Sequence, residues 1–350
     1  MTQTEDVIAR KEGAVGRITL NRPKALHALT TDMCRAMTDA LLAWREDPGV
    51  QLVMLDHAGE RGFCAGGDIR MLAESGAGDG FAAREFFFTE YRLNHLLFEY
   101  PKPVMAIMDG VTMGGGVGLS LPALYRVATE RTTFAMPETG IGLFPDVGGG
   151  WHLPRLPGKS GLWLALTGAR IKCADCEMLG IATDYVEAGQ IEALKAAVIA
   201  DPAAVETHLT TFEADPGRPP LGVHRDEMDR LFDQANVEAV LEALEDDDGP
   251  WAQAQLAILK TKSPQTLKVA FRQLQLGAEM TSFAENMELE YRIGARVVGL
   301  HDFQEGVRAV IVDKDNDPHW NPSTLEGVTD AMLDEIFAPL PSAQAWRPLP

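Results

Sequence analysis

Three glycine-rich segments, each following an apolar, strand-like run or sitting at its end, constrain this chain more than any other feature. They are GFCAGGDIRML at 62–72, DGVTMGGGVGLSL at 109–121 and FAMPETGIGLFPDVGGGWHLPRL at 134–156. Consecutive glycines at the start of a helix let the main chain approach a ligand closely and leave unpaired N–H groups at the positive end of the helix dipole. Two such turns facing one another would make a pocket that stabilises negative charge.

The turns sit in a chain that alternates short β-prone runs with helical stretches over its first 200 residues, the pattern of an α/β fold. Candidate strands are VGRITL from Val15, VQLVMLDH from Val50 and PVMAIMDG from Pro103. A helix lies between the first two, with Thr31 and Asp32 as cap residues and Met33, Met37, Leu41 and Trp44 on one face. Asp47-Pro48-Gly49 ends it. From about residue 201 the strand signature disappears, which predicts residues 1–200 as the α/β part bearing the site and 201–350 as a mostly helical part. Leu267, Phe271, Leu274, Met280, Phe283, Met287 and Tyr291 predict a helix pair across 264–296.

Charge and composition remove several classes of function. Thirty-one Lys plus Arg against 51 Asp plus Glu give a net charge of −20, a field that repels phosphate backbones and anionic lipid, so no nucleic-acid or membrane partner is expected. No stretch reaches the roughly 18 apolar residues of a bilayer span. The polar start, MTQTED, and four cysteines without a disulfide pattern predict a cytoplasmic protein. Cys173 and Cys176 form one CxxC with no second pair or nearby His, so no metal site is expected. Nucleotide loops fail on spacing: there is no GxxxxGK[ST], and Leu119 stands where a GxGxxG starting at Gly114 needs its last glycine.

In the third segment, Glu138 and Asp146 are two carboxylates in an otherwise apolar loop flanked by Met136, Ile141, Leu143, Phe144 and Val147. An unpaired acid in such surroundings has a raised pKa, which suits a general base or nucleophile. For either acid alone, a cap or a solvated loop position is the simpler reading.

The three segments together resemble the crotonase superfamily, the enoyl-CoA hydratase/isomerase relatives. The resemblance implies a spiral of ββα units with a helical C-terminal region. It also implies an oxyanion hole from the N–H groups of Gly67 and Gly115, with Glu138 and Asp146 in the catalytic centre. Lys24, Ala25, His27, Ala65, Gly67 and Asp68 match positions that meet coenzyme A, and Arg22 and Lys314 are further candidates for its phosphates. Glu90, in FFTEYRLNHL, matches a substrate-contacting acid. Many relatives assemble from identical copies, so a homo-oligomer is a further expectation.

Within the superfamily the stretches AMPETGIGLFPDVGGGWHLPRLPGK at 135–159, SPQTLKVAFRQL at 263–274 and HDFQEGVRAVIVDKDNDPHW at 301–320 are more similar to the branch that hydrolyses short 3-hydroxyacyl-CoA thioesters, such as 3-hydroxyisobutyryl-CoA in valine breakdown. Hydratases carry an acid just after the GGG turn, and Gly118 stands there. The resemblance therefore implies thioester hydrolysis with no cofactor beyond the CoA of the substrate itself. The alternatives are an enoyl-CoA hydratase or isomerase, and a non-catalytic CoA-binding protein.

Overall fold

The computed structural model describes residues 4–350, so Met1–Gln3 of the polar start lie outside it. Among the described residues ten strands form two sheets. The larger has the order β1-β2-β3-β5-β7-β10, where β1 is Val7–Glu12, β2 Val15–Leu20, β3 Leu52–His57, β5 Val104–Met108, β7 Tyr125–Ala128 and β10 Asp184–Tyr185. All its pairings are parallel except the β1–β2 hairpin. The expected strand from Val50 is shorter than its sequence run, because the chain is still turning at Val50, whose N–H donates to the Asp47 carbonyl.

Every residue of β3 is buried, as a strand covered on both faces requires. Leu52 and Met54 point with Val15, Met105 and Ile107 into a small core closed by Ile191, Leu194 and Val198. Val53 and Leu55 point the other way, into the main core. That main core runs from Val7 to Trp346 and joins side chains from both sides of position 200.

The smaller sheet positions the site. Its order is β4-β6-β8-β9, with β4 Gly62–Cys64, β6 Val111–Met113, β8 Thr133–Ala135 and β9 Ile171–Lys172. The first three strands are mutually parallel, so their C-terminal ends lie side by side, about 5 Å apart. β4 runs into Ala65–Gly67, β6 into Gly114–Gly115 and β8 into Pro137–Glu138. Three segments far apart in sequence thus leave the same edge together, where open α/β sheets hold their ligands.

Helices complete the setting. α1 (Thr31–Arg45) buries Met33, Met37, Leu41 and Trp44, but its cap is Thr30, whose hydroxyl accepts from the Met33 N–H at 3.2 Å. This moves the predicted cap one residue earlier than Thr31. α2 (Ile69–Gly76) is capped by Asp68, and α3 (Phe81–Phe98) buries Phe86, Phe87, Glu90, Tyr91 and Asn94. α4 (Gly115–Ser120) starts at the GGG turn and α5 (Gly149–His152) follows the acid loop. After β10 the chain is helical, and the expected pair is present as the helices Pro264–Glu279 and Phe283–Val297, each opened by a serine cap.

Candidate active site

A cavity of about 70 Å³ opens where the three strand ends meet, lined among others by Ala65, Gly67, Glu90, Gly115, Glu138 and Asp146. Its apolar walls are Ile69, Leu72, Phe86, Phe87, Ile141 and Leu143. That space holds roughly five waters, the bulk of a short acyl group.

The two glycine turns touch. A Cβ on Gly115 would fall 3.3 Å from the Gly66 carbonyl carbon, 2.9 Å from Leu29 and 2.6 Å from Glu90 Oε1, so a side chain there would have to push Glu90 and Leu29 aside. Gly115 is the first residue of α4, which leaves its N–H without an intrahelical carbonyl. On the facing turn the hydrogen bonds run from the Leu29 N–H to the Gly66 carbonyl and from the Asp68 N–H to the Leu29 carbonyl. They pass Gly67 by on either side.

Three acids enter from different elements. Glu138 opens a short 3₁₀ turn (Glu138–Ile141) and is 5% exposed. Its Oε2 has no hydrogen-bond partner among the described residues. Burial raises the Glu138 pKa well above the carboxylate range, and repulsion from Asp146 raises it further. Asp146 is also buried, and its pKa is pushed up by desolvation to about 6 although the Tyr91 hydroxyl donates to its Oδ2 at 2.8 Å. Glu90 comes from α3, its Oε1 unpartnered, its pKa raised by desolvation and then by Asp146 and Glu290. No ion pair to these acids occurs among the described residues, so they cannot all be ionised at neutral pH.

The loop expected to meet coenzyme A runs beside this cavity rather than into it. The Ala65 N–H donates to the Leu26 carbonyl at 3.0 Å, tying the loop to the first glycine turn. Within it, Lys24 is exposed and Ala25 half-buried. His27 is 2% exposed and uses both ring nitrogens: Nδ1 accepts from the Arg22 N–H and Nε2 donates to the Ala58 carbonyl, each at 2.9 Å. Burial and the neighbouring His57 lower its pKa to about 4, so it is a neutral structural clasp. Asp68 caps α2 and pairs with Arg22 at 3.1 Å. Arg22 is therefore spent inside the protein rather than left for a phosphate, whereas Lys314 is exposed.

At Gly118, where hydratases place their first acid, a Cβ would lie 2.6 Å from Val147 Cβ and 2.7 Å from Asn94 Nδ2. The volume an acid would need is filled. Two side chains the sequence did not single out also belong to the setting: Tyr91, which holds Asp146, and Glu290. Tyr91 was legible only as the neighbour of Glu90.

The cavity brings glycine turns and buried acids together in the setting of an enzyme site, and the family gives its class. The family model for enoyl-CoA hydratase/isomerase matches residues 15–337, and the chain belongs to that family. Among curated proteins it is similar to the 3-hydroxyisobutyryl-CoA hydrolase of Danio rerio, 46% identical with 96% of this chain and 90% of the relative covered. The hydrolase of the same name from Homo sapiens is 42% identical, with 97% and 90% covered. A solved structure titled a carnitinyl-CoA dehydratase, from Mycobacterium thermoresistibile, matches at 42% identity with a TM-score of 0.93, covering 97% of this chain and 98% of that one. Another, titled an enoyl-CoA hydratase, from Rhodobacter sphaeroides 2.4.1, matches at 40% with a TM-score of 0.90, covering 98% and 100%. The crotonase-like fold expected from the sequence is thereby established.

The names overturn one expectation. Both hydrolase relatives are designated mitochondrial, against the cytoplasmic reading of the sequence. The features behind that reading do not bear on the choice, because reduced thiols fit more than one reducing compartment. No helix among the described residues is long and apolar enough to cross a membrane.

Proposed function

We propose that this chain hydrolyses a short 3-hydroxyacyl-CoA thioester, 3-hydroxyisobutyryl-CoA first among them, to the free hydroxy acid and CoA. One observation carries the reading: a buried glutamate with a free oxygen shares a small apolar cavity with two glycine turns, while the position of a second hydratase acid is filled by Asn94 and Val147.

Hydration across a double bond needs one group to activate water and another to protonate carbon. Thioester hydrolysis needs less, because a thiol of ordinary pKa, about 8.5, leaves as thiolate with little protonic help. The N–H groups of Gly67 and Gly115 receive the carbonyl oxygen as it becomes an oxyanion, an effect worth about 3–4 kcal/mol for a well-aimed donor. Glu138 takes a proton from water as its oxygen bonds to the carbonyl carbon, or attacks that carbon itself to give an anhydride that water opens. In either route the C–S bond breaks when the tetrahedral intermediate collapses: in the first, the proton that Glu138 took from water passes to the CoA thiolate, and in the second the thiolate leaves as the anhydride forms and takes up the proton that water loses on opening it, which frees the Glu138 carboxylate. No metal or redox cofactor enters these steps. Asp146 and Glu90 take the substrate's 3-hydroxyl, and the 22–30 loop with Ala65 takes the CoA portion. Assembly of like copies belongs to the same proposal and is read from the molar mass in solution.

The test offers purified protein 3-hydroxyisobutyryl-CoA and crotonyl-CoA separately, following free thiol with a thiol-reactive dye and the double bond by absorbance. Thiol release from the first supports hydrolysis. Loss of the crotonyl double bond without thiol release would sink it.

Tyr91→Phe supplies a pH prediction. The hydroxyl favours ionised Asp146, so removing it raises the Asp146 pKa. The titration midpoint of the Asp146 carboxyl, followed by NMR of carbon-13-labelled protein, should move up from about 6 in the variant. An unchanged midpoint would show that the Tyr91 hydroxyl does not set the charge on Asp146.

A further inference from the structure

Glu290 has no part in the steps above, yet it is the most completely buried acid near the cavity, with no exposure at all. Its Oε2 accepts from the Gly148 N–H at 2.7 Å. Its Oε1 accepts from the Gly150 N–H at 2.9 Å, Asn286 Nδ2 at 2.9 Å and Gln273 Nε2 at 3.2 Å. Among the described residues it has no ion pair. Burial raises the Glu290 pKa to about 8 even though these N–H donors oppose the rise, so what the carboxyl supplies is a set of acceptor oxygens aimed at N–H groups rather than a charge.

The donors show what it holds. Gly148 and Gly150 lie two and four residues after Asp146, and Gln273 Nε2 also donates to the carbonyl of Pro145, just before it, at 2.7 Å. The loop needs such a grip. Val147 has φ +54° and Gly148 φ +94°, and a β-branched residue in the left-handed region costs about 1–3 kcal/mol unless its surroundings enforce it. The packing leaves no slack: a Cβ on Gly150 would lie 2.6 Å from Asn286 Oδ1, and one on Gly277 would lie 1.8 Å from the Gly150 carbonyl oxygen.

We propose that Glu290 is a positioning residue, which clamps residues 145–150 in their strained form and so holds Asp146 in the cavity with Glu138. The two C-terminal helices thereby set the geometry of acids that belong to the α/β part of the chain. The inference rests on the functional reading given above, in which Asp146 meets the substrate.

The test uses the full chain with Glu290→Gln and Gln273→Leu, each alone and combined with Asp146→Asn. It follows thiol release from 3-hydroxyisobutyryl-CoA, with near-UV circular dichroism to monitor folding. Glu290→Gln should lower kcat about 10- to 100-fold with KM held within about threefold, and should cost less than about threefold more on the Asp146→Asn background. Gln273→Leu keeps the carboxylate, should give a smaller loss of the same pattern, and decides the matter if Glu290→Gln does not fold. Losses that multiply with that of Asp146→Asn, or a wild-type kcat in either variant, would overturn the clamp. A wild-type protein that releases no thiol overturns the functional reading and the clamp with it. An unimpaired Asp146→Asn removes Asp146, and hence the clamp, while leaving hydrolysis standing.

Discussion

Glu138→Gln should lower thioester hydrolysis by about 10³- to 10⁴-fold while leaving CoA affinity within about threefold. The amide has nearly the volume of the acid, so the cavity keeps its shape, but it can neither accept a proton from water nor attack a carbonyl. Glu138 is buried, has an oxygen without a partner and faces Asp146. Replacing it removes an electrostatic burden, so the thermal midpoint should hold or rise as activity disappears, the usual trade at a functional site. Turnover above about a tenth of wild type would refute the role of Glu138 and favour a protein that binds CoA without chemistry.

Gly118→Glu, which restores the acid of the hydratases by position, should produce no hydratase. A Cβ there meets Val147 Cβ at 2.6 Å and Asn94 Nδ2 at 2.7 Å, and Asn94 is fully buried on α3. The side chain must displace the acid loop or the helix. Overpacking of this kind costs about 2 kcal/mol or more. The expected outcome is a lower thermal midpoint and loss of hydrolysis, with no hydration of crotonyl-CoA. A stable Gly118→Glu protein that hydrates crotonyl-CoA would show that the two reactions differ here by one side chain alone.

Much of this site was legible because its chemistry is written in local runs. The glycines at 66–67 and 114–116 and the acids at 138 and 146 each sit in a loop whose composition has little other purpose, so the sequence pointed to them directly. The strands that bring them together were not legible. β4, β6 and β8 have three residues each, too few to show a two-residue period, and their side-by-side order exists only in the sheet. The 264–296 helix pair was plain from its apolar spacing, but the role of Glu290 within it was not. The two glycines it holds lie about 140 residues away, and in the sequence an acid on a helix reads as a solvated one. His27 shows the opposite limit. Its place in the 22–30 loop suggested a ligand contact, while both ring nitrogens prove to be engaged in fixing the loop itself.

The cramped chamber at the strand ends also acts as a ruler. Leu72, Phe86, Phe87 and Leu143 wall it at about the bulk of a few heavy atoms, so on the function proposed above a long fatty tail would find little room beside its carbonyl. On that reading the wall would spare bulky CoA esters from cleavage by keeping them from the reacting position rather than by recognising them.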